Sequence, residues 1–300
     1  MFLIRNLLAK ALQISRRPNY LTEALRIAVS LDDVKEASAI AKELMTLDVD
    51  NVYAALGLVL SLLMSGNAKD AATQYEIVHE AHQFVTSSTI YYVIGAILAK
   101  QKSGNFDDFR QQIAKALDVH QNNLQNIPFG VDYLSAMDSD VMYLIAQQIL
   151  DFAPLVPVKA ADDCLKIADK VLTMIVDASP GLAHVTYLLA RVQYLSMDYG
   201  NAEESVKLCL EKNESFTEAY LLRAQMTIDR GGKINEAEQA LTTGLNFNFA
   251  VRDTSLYHLI KAKTLKRKNE NNEAIQTLRA ALKIPQKERS KNLLAPLNEQ

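Results

Sequence analysis

Apolar and polar positions along this 300-residue chain recur with helical spacing. In KEASAIAKEL (35–44), KDAATQYEIV (69–78), GNAEESVKLCL (200–210), NEAEQALTTGL (235–245) and NEAIQTLRAAL (272–282) an alanine is followed four positions on by a larger or apolar residue. A small or apolar residue follows three further on. That spacing lies on one face of an α-helix and leaves the other face polar. The triplets are Ala37/Ala41/Leu44, Ala71/Tyr75/Val78, Ala202/Val206/Cys209, Ala237/Leu241/Gly244 and Ala274/Leu278/Ala281. Their alanines recur at intervals near the tetratricopeptide period of about 34 residues, a helix–turn–helix unit.

The upstream helix of each unit fits the same period. Leu25, Val59, Ala190, Ala224 and Ala262 are the compact positions where the first helix of a pair meets its second. Small side chains there let two helix axes approach closely. SGN (65–67), SGN (103–105) and RGG (230–232) fall between helices as turns. FDDFRQQIAKAL (106–117) predicts a further second helix, with Phe109 in place of the alanine.

The middle is less regular. Pro128 predicts a helix start, Asp138 or Ser139 a cap for the next helix, and Pro154 with Pro157 its end. AADDCLKIADKVLTMIVDASPG (160–181) predicts a second-type helix closed by Pro180, and LVPVKAAD before it a flexible point. The resulting expectation is an all-α, tetratricopeptide-repeat α-solenoid, a superhelix of antiparallel helix pairs. Its parts are a basic amphipathic N-terminal helix (1–18), three repeat-like units (19–121), atypical helical pairs (122–181), three further units (182–286) and a polar tail (287–300).

Composition agrees with helices. The chain has 10 Gly, 7 Pro and no Trp, few turn residues for an all-β protein. Cys164 and Cys209 lie in helical patterns and predict buried free thiols. No apolar run approaches the ~18–20 residues of a membrane-spanning helix. The N-terminus carries Arg5, Lys10, Arg16 and Arg17 before its first acidic residue, Glu23. It reads either as a helix that starts the array or as a mitochondrial transit peptide.

Candidate chemistry changes little. Neither GxGxxG nor GxxxxGK[ST] occurs, and no GxSxG frames a serine. HEAH (79–82) spaces two histidines at i, i+3, without a third ligand at zinc-like spacing. The acidic pairs at 32–33, 107–108 and 162–163 sit near helix starts, where carboxylates cap free N–H groups. The chain therefore predicts no enzyme, no cofactor and no metal site.

Charge is segregated. Although the net charge is −3, residues 252–291 hold Lys261, Lys263, Lys266, Arg267, Lys268, Arg279, Lys283, Lys287, Arg289 and Lys291. Such a run is a solvated face or a surface for an acidic protein, an anionic lipid or nucleic acid. It lacks the interleaved aromatics of a single-strand binder. Proteins are the expected partners, and no nucleic acid is expected. In repeat register, one face of the first helices carries His184, Tyr187, Arg191 and Tyr194, then Glu218, Leu221, Gln225 and Ile228, then Leu256, Leu259, Lys263 and Lys266. This aromatic, apolar and cationic strip, with Arg267 beside it, suits a peptide or helix ligand, or another subunit.

Three stretches carry a more specific likeness: Leu117–Pro157, Pro180–Gln225 and Phe249–Leu282. They resemble, in order, the large tetratricopeptide-repeat subunit of intraflagellar transport complex A, the tetratricopeptide repeat protein 21 family. Together they cover roughly the second two-thirds of the chain, and the first twenty residues carry no such stretch. Met197 and Asn269 stand where a turn glycine is expected, and Glu214 where a unit-closing proline is expected. The resemblance implies a non-enzymatic subunit of an internal solenoid portion. It would act in retrograde transport at the cilium and ciliary base, with other complex A subunits as partners. An unrelated tetratricopeptide adaptor for a peptide or chaperone, or an organellar protein, remain alternatives.

Overall fold

The computed structural model describes residues 2–159 and 162–284. The expected polar tail, with Lys287, Arg289 and Lys291, lies outside the described residues, as do Ala160 and Ala161. Every regular element described is helical. The chain forms two compact units, one running to Val141 and the other starting at Met142.

In the first unit α1 (Phe2–Ile14) precedes three antiparallel pairs. These are α2 (Pro18–Ser30) with α3 (Val34–Leu47), α4 (Val52–Met64) with α5 (Ala68–Ala81), and α6 (Thr89–Ser103) with α7 (Phe106–Leu124). A short α8 (Val131–Met137) follows, and α9 (Ser139–Leu150) straddles the division. The second unit continues with α10 (Asp163–Ala178) and three more pairs. They are α11 (Ala183–Leu195) with α12 (Tyr199–Lys212), α13 (Thr217–Asp229) with α14 (Ile234–Phe247), and α15 (Ser255–Arg267) with α16 (Asn271–Leu282).

Each pair folds over through one left-handed residue. These are Asp32, Gly66, Gly104, Met197, Gly231 and Asn269, with φ between 55° and 79°. The two positions where glycine was expected and absent, Met197 and Asn269, adopt the same conformation at φ 60° and 67°. Five of the six turns close identically. Asn67 N–H donates to Leu62 O and Gly66 N–H to Leu63 O, and matching pairs of bonds occur around Asp32, Met197, Gly231 and Asn269. This double closure satisfies carbonyls that a helix end leaves open. Gly104 uses a single bond, to Lys100 O.

The left-handed residues also expose the true period. The step is 34 residues from 32 to 66 and from 197 to 231, but 38 from 66 to 104 and from 231 to 269. Each longer step contains a 3-10 turn between pairs, at Val85–Ser87 and at Phe249–Asp253. Three of the four extra residues are taken up there: the joints at 82–88 and 248–254 hold seven residues, those at 48–51 and 213–216 four.

The compact seam positions are buried. Leu25, Val59, Ala190 and Ala224 are fully covered and Ala262 nearly so. Ala37, Ala41, Leu44, Ala202, Val206 and Cys209 are buried, as are Phe109, Ile113 and Ala116 in α7. Acidic caps act as the sequence suggests: Asp33 accepts from Glu36 N–H at 3.1 Å and Asp162 from Leu165 N–H at 3.1 Å.

Three details differ from expectation. The helix expected from Pro128 begins at Val131, after an extended Gly130, and α9 ends at Leu150, before Pro154. In α16 only Ala274 is buried; Leu278 is 41% exposed, because no described helix follows α16 to cover it. Cys164 and Cys209 are free and buried; their thiols donate to Ile149 O and Ala183 O.

Candidate functional site

The strip read from the sequence lies on α11, α13 and α15 of the second unit. These first helices pack side by side, so their flanks are covered and only part of the strip meets solvent. Tyr187 is buried with its ring 5.3 Å from that of Phe216. Leu221 is 2% exposed and belongs to the core between α13 and α15. His184 is half-buried, its ring edge-on to Tyr143 at 5.2 Å. Arg191 and Gln225 are half-buried, and Lys266 is exposed.

Tyr194 and Lys263 meet on a residue that the sequence did not single out. Tyr194 O–H donates to Asp229 Oδ2 at 2.6 Å, and Lys263 Nζ donates to Asp229 Oδ1 at 2.7 Å and Oδ2 at 3.1 Å. Asp229 ends α13 and lies 35 residues after Tyr194 and 34 before Lys263. One carboxylate, with its side chain 20% exposed, thus ties three successive first helices together. Acidic and basic residues one repeat period apart are the signal that could have found it. Burial raises the Tyr194 hydroxyl far above its usual range, and its bond to Asp229 adds to this; it stays protonated and remains a donor.

Arg267 is also occupied. Its guanidinium donates to Ile228 O at 3.4 Å, Gly231 O at 3.1 Å and Gly232 O at 2.9 Å. It therefore closes the C-terminal end of α13, where carbonyls lack intrahelical partners. Lys268 pairs with Glu238. Lys261 and Lys266 of α15 are exposed, Lys266 within the strip. Leu259, 40% exposed, lies in the same strip.

The histidines divide similarly. His79 Nδ1 lies 3.0 Å from Tyr91 Oη. His258 is half-buried against Tyr257, and burial, then Lys261, hold its imidazole below the usual value. Among the described residues no three His, Cys, Asp or Glu side chains converge as metal ligands. No helix of the described residues is long and apolar enough to cross a membrane.

Comparison with known proteins extends the likeness over nearly the whole chain. Residues 2–231 match the family model described as the tetratricopeptide repeat protein 21 second ARM domain, and residues 249–299 its ARM repeat. The match thus starts at residue 2, well before the stretches that carried the resemblance. A tetratricopeptide repeat protein 21 homolog of Caenorhabditis elegans is 50% identical, covering 97% of this chain and 22% of its own length. Tetratricopeptide repeat protein 21B of Homo sapiens is 32% identical over 94% of this chain and 22% of its own. The chain therefore spans about a fifth of the length of these relatives. Among solved structures, the C-terminal part of a TPR repeat-containing protein from Cytophaga hutchinsonii superposes with a TM-score of 0.52. It is 13% identical and covers 92% of this chain and all of its own, a likeness of fold alone.

Proposed function

We infer the role of this chain from one premise: it belongs to the tetratricopeptide repeat protein 21 family. Helix pairs that cannot bury their apolar faces alone, and so stack on neighbours, make extended protein-interaction scaffolds. The chain is a non-enzymatic stretch of such a scaffold within a subunit of intraflagellar transport complex A. It acts in retrograde ciliary transport, at the cilium and its base, and its partners are other complex A subunits. The observation that carries this reading is the family match across residues 2–231 and 249–299.

Within that role, the strip of His184, Tyr187, Arg191, Tyr194, Leu221, Gln225, Lys263, Lys266 and Arg267 marks the face that meets a partner. Tyr187, Tyr194 and Leu221 would support the face from within. Leu259 and Lys266 are the exposed positions of this face on α15, so they are the ones to change.

The test is affinity capture of the tagged chain from ciliated cells, with mass spectrometry. Complex A subunits are expected among the captured proteins, and their absence would refute the assignment. Signal in mitochondria instead of the cilium would favour the targeting reading of the basic N-terminus. Changing Leu259 and Lys266 together to Glu should lower recovery of complex A subunits with the helical content intact. Undiminished recovery would remove this face from consideration.

A further inference from the structure

Arg26 lies in α2 and Asp138 at the junction of α8 and α9, 112 positions away, both within the first unit. Arg26 Nη2 nevertheless donates to Asp138 Oδ1 at 2.9 Å. Both side chains are mostly covered, 24% and 22% exposed. Tyr53, in the first turn of α4, is half-buried and near enough for its hydroxyl to feel the charges of Asp138 and Arg26. Burial first, and then the charge of Asp138, raise its hydroxyl far above the usual range, so it is a donor. Glu23 touches Arg26 at 3.5 Å, and Asp140 is the other acid nearby.

Asp138 is an awkward residue in this place. Its backbone is left-handed, at φ 40° and ψ 67°, although it has a Cβ. Burial pushes its carboxyl up against the opposing pull of Arg26. The helix it ends, α8, is only seven residues long and lies among exposed apolar residues: Phe129 at 76%, Val131 at 83% and Leu134 at 41%. Backbone strain and a covered charge at one residue persist only where the surroundings impose them, and such sites tend to be functional.

We propose that Arg26 and Tyr53 form a recognition site for a carboxylate of an acidic protein segment, and that Asp138 occupies it as an internal ligand. The guanidinium supplies the planar fork that carboxylates fit, and the phenol a second donor. A segment presenting Asp or Glu displaces Asp138 and releases α8 from its tie to α2. Asp138 also accepts from Val141 N–H at 3.4 Å, as a cap for α9. Asp138→Asn separates the two roles: asparagine caps helices and tolerates the left-handed region, but carries no charge.

The experiment titrates the isotope-labelled 300-residue chain with a short oligoglutamate peptide, with oligoglutamine as control. NMR follows the Arg26 side-chain resonance and the Tyr53 amide. Asp138→Asn should respond at peptide concentrations about tenfold lower than wild type, the effect of one charge-assisted hydrogen bond. Adding Arg26→Ala should abolish the Tyr53 response. Equal responses in Asp138→Asn and wild type, or a response that survives Arg26→Ala, would overturn the proposal. If Asp138→Asn loosens the fold, hydrogen exchange on the wild type decides. Amides 131–137 should exchange faster with oligoglutamate than with oligoglutamine, and equal rates would overturn it.

Discussion

Met197 holds a left-handed conformation at φ 60° in a turn whose counterpart, one period later, is Gly231 at φ 78°. For a residue with a Cβ that region costs about 1–2 kcal/mol. Replacement by glycine removes this cost but frees the unfolded chain, which gives back about 0.4–1 kcal/mol. Met197→Gly should therefore stabilise the second unit by roughly 0.5–1 kcal/mol, less whatever the half-buried Met197 side chain contributes. Met197→Ala removes the same side chain and keeps the Cβ, so it is the proper reference. Gly should exceed Ala by about 1 kcal/mol, equivalent to about 2–4 °C in Tm for a domain of this size. Gly231→Ala is the reverse experiment. Nothing lies within 4 Å of the new Cβ, so its loss of about 1 kcal/mol reports backbone conformation alone. Urea titrations followed by circular dichroism and tyrosine fluorescence measure these differences; the 12 tyrosines emit without interference from tryptophan. An unchanged m-value is required, since two compact units need not unfold as one. If Met197→Ala proves as stable as Met197→Gly, the turn geometry does not carry this strain.

Four further outcomes follow from the structure. Gly57→Ala places a Cβ 2.5 Å from Leu25 Cδ2 and should cost about 1–3 kcal/mol in urea unfolding; Leu25→Val should recover part of it. Asp229→Ala removes the common acceptor of Tyr194 and Lys263 and should cost on the order of 1 kcal/mol. A double-mutant cycle with Tyr194→Phe should give a coupling well above zero. His120 is 3% exposed, and burial holds its imidazole below the usual value. The unfolded chain therefore takes up the proton first, so stability should fall as pH drops below about 6.5. Burial raises the carboxyls of Asp138, Asp169 and Glu218, which act with the opposite sign at lower pH. The test is thus the slope difference between wild type and His120→Gln, which should be shallower in the variant. Arg267→Ala should speed hydrogen exchange at the end of α13 near Arg230 and leave α12 unchanged, because three α13-end carbonyls lose their donor.

Much of this was legible in the sequence because helix pairing is set by local spacing. The alanine seams name the buried positions, and even Met197 and Asn269 could be placed as turn residues before their dihedrals were seen. The strip on α11, α13 and α15 was only half legible. Period and register place Tyr187, Tyr194 and Leu221 on one face. They do not reveal that flanking first helices cover those side chains while leaving Leu259 and Lys266 open. Asp229 and Asp138 were missed as anchors because their partners lie one repeat or more away, and no local pattern marks a helix-end acid as a tie. Leu278 misled for the reverse reason: its pattern is that of a seam, but a seam needs a second side.

The six left-handed turns also bear on how this chain responds to force. Within each pair, a fixed dihedral and paired backbone bonds make a stiff elbow. Most of the additional residues of the longer steps sit instead in the joints at 82–88 and 248–254, around single 3-10 turns. Under tension those joints should yield first, while the elbows hold their angle until a helix end tears open. An insertion at a joint would lengthen the spring; one at an elbow would break it.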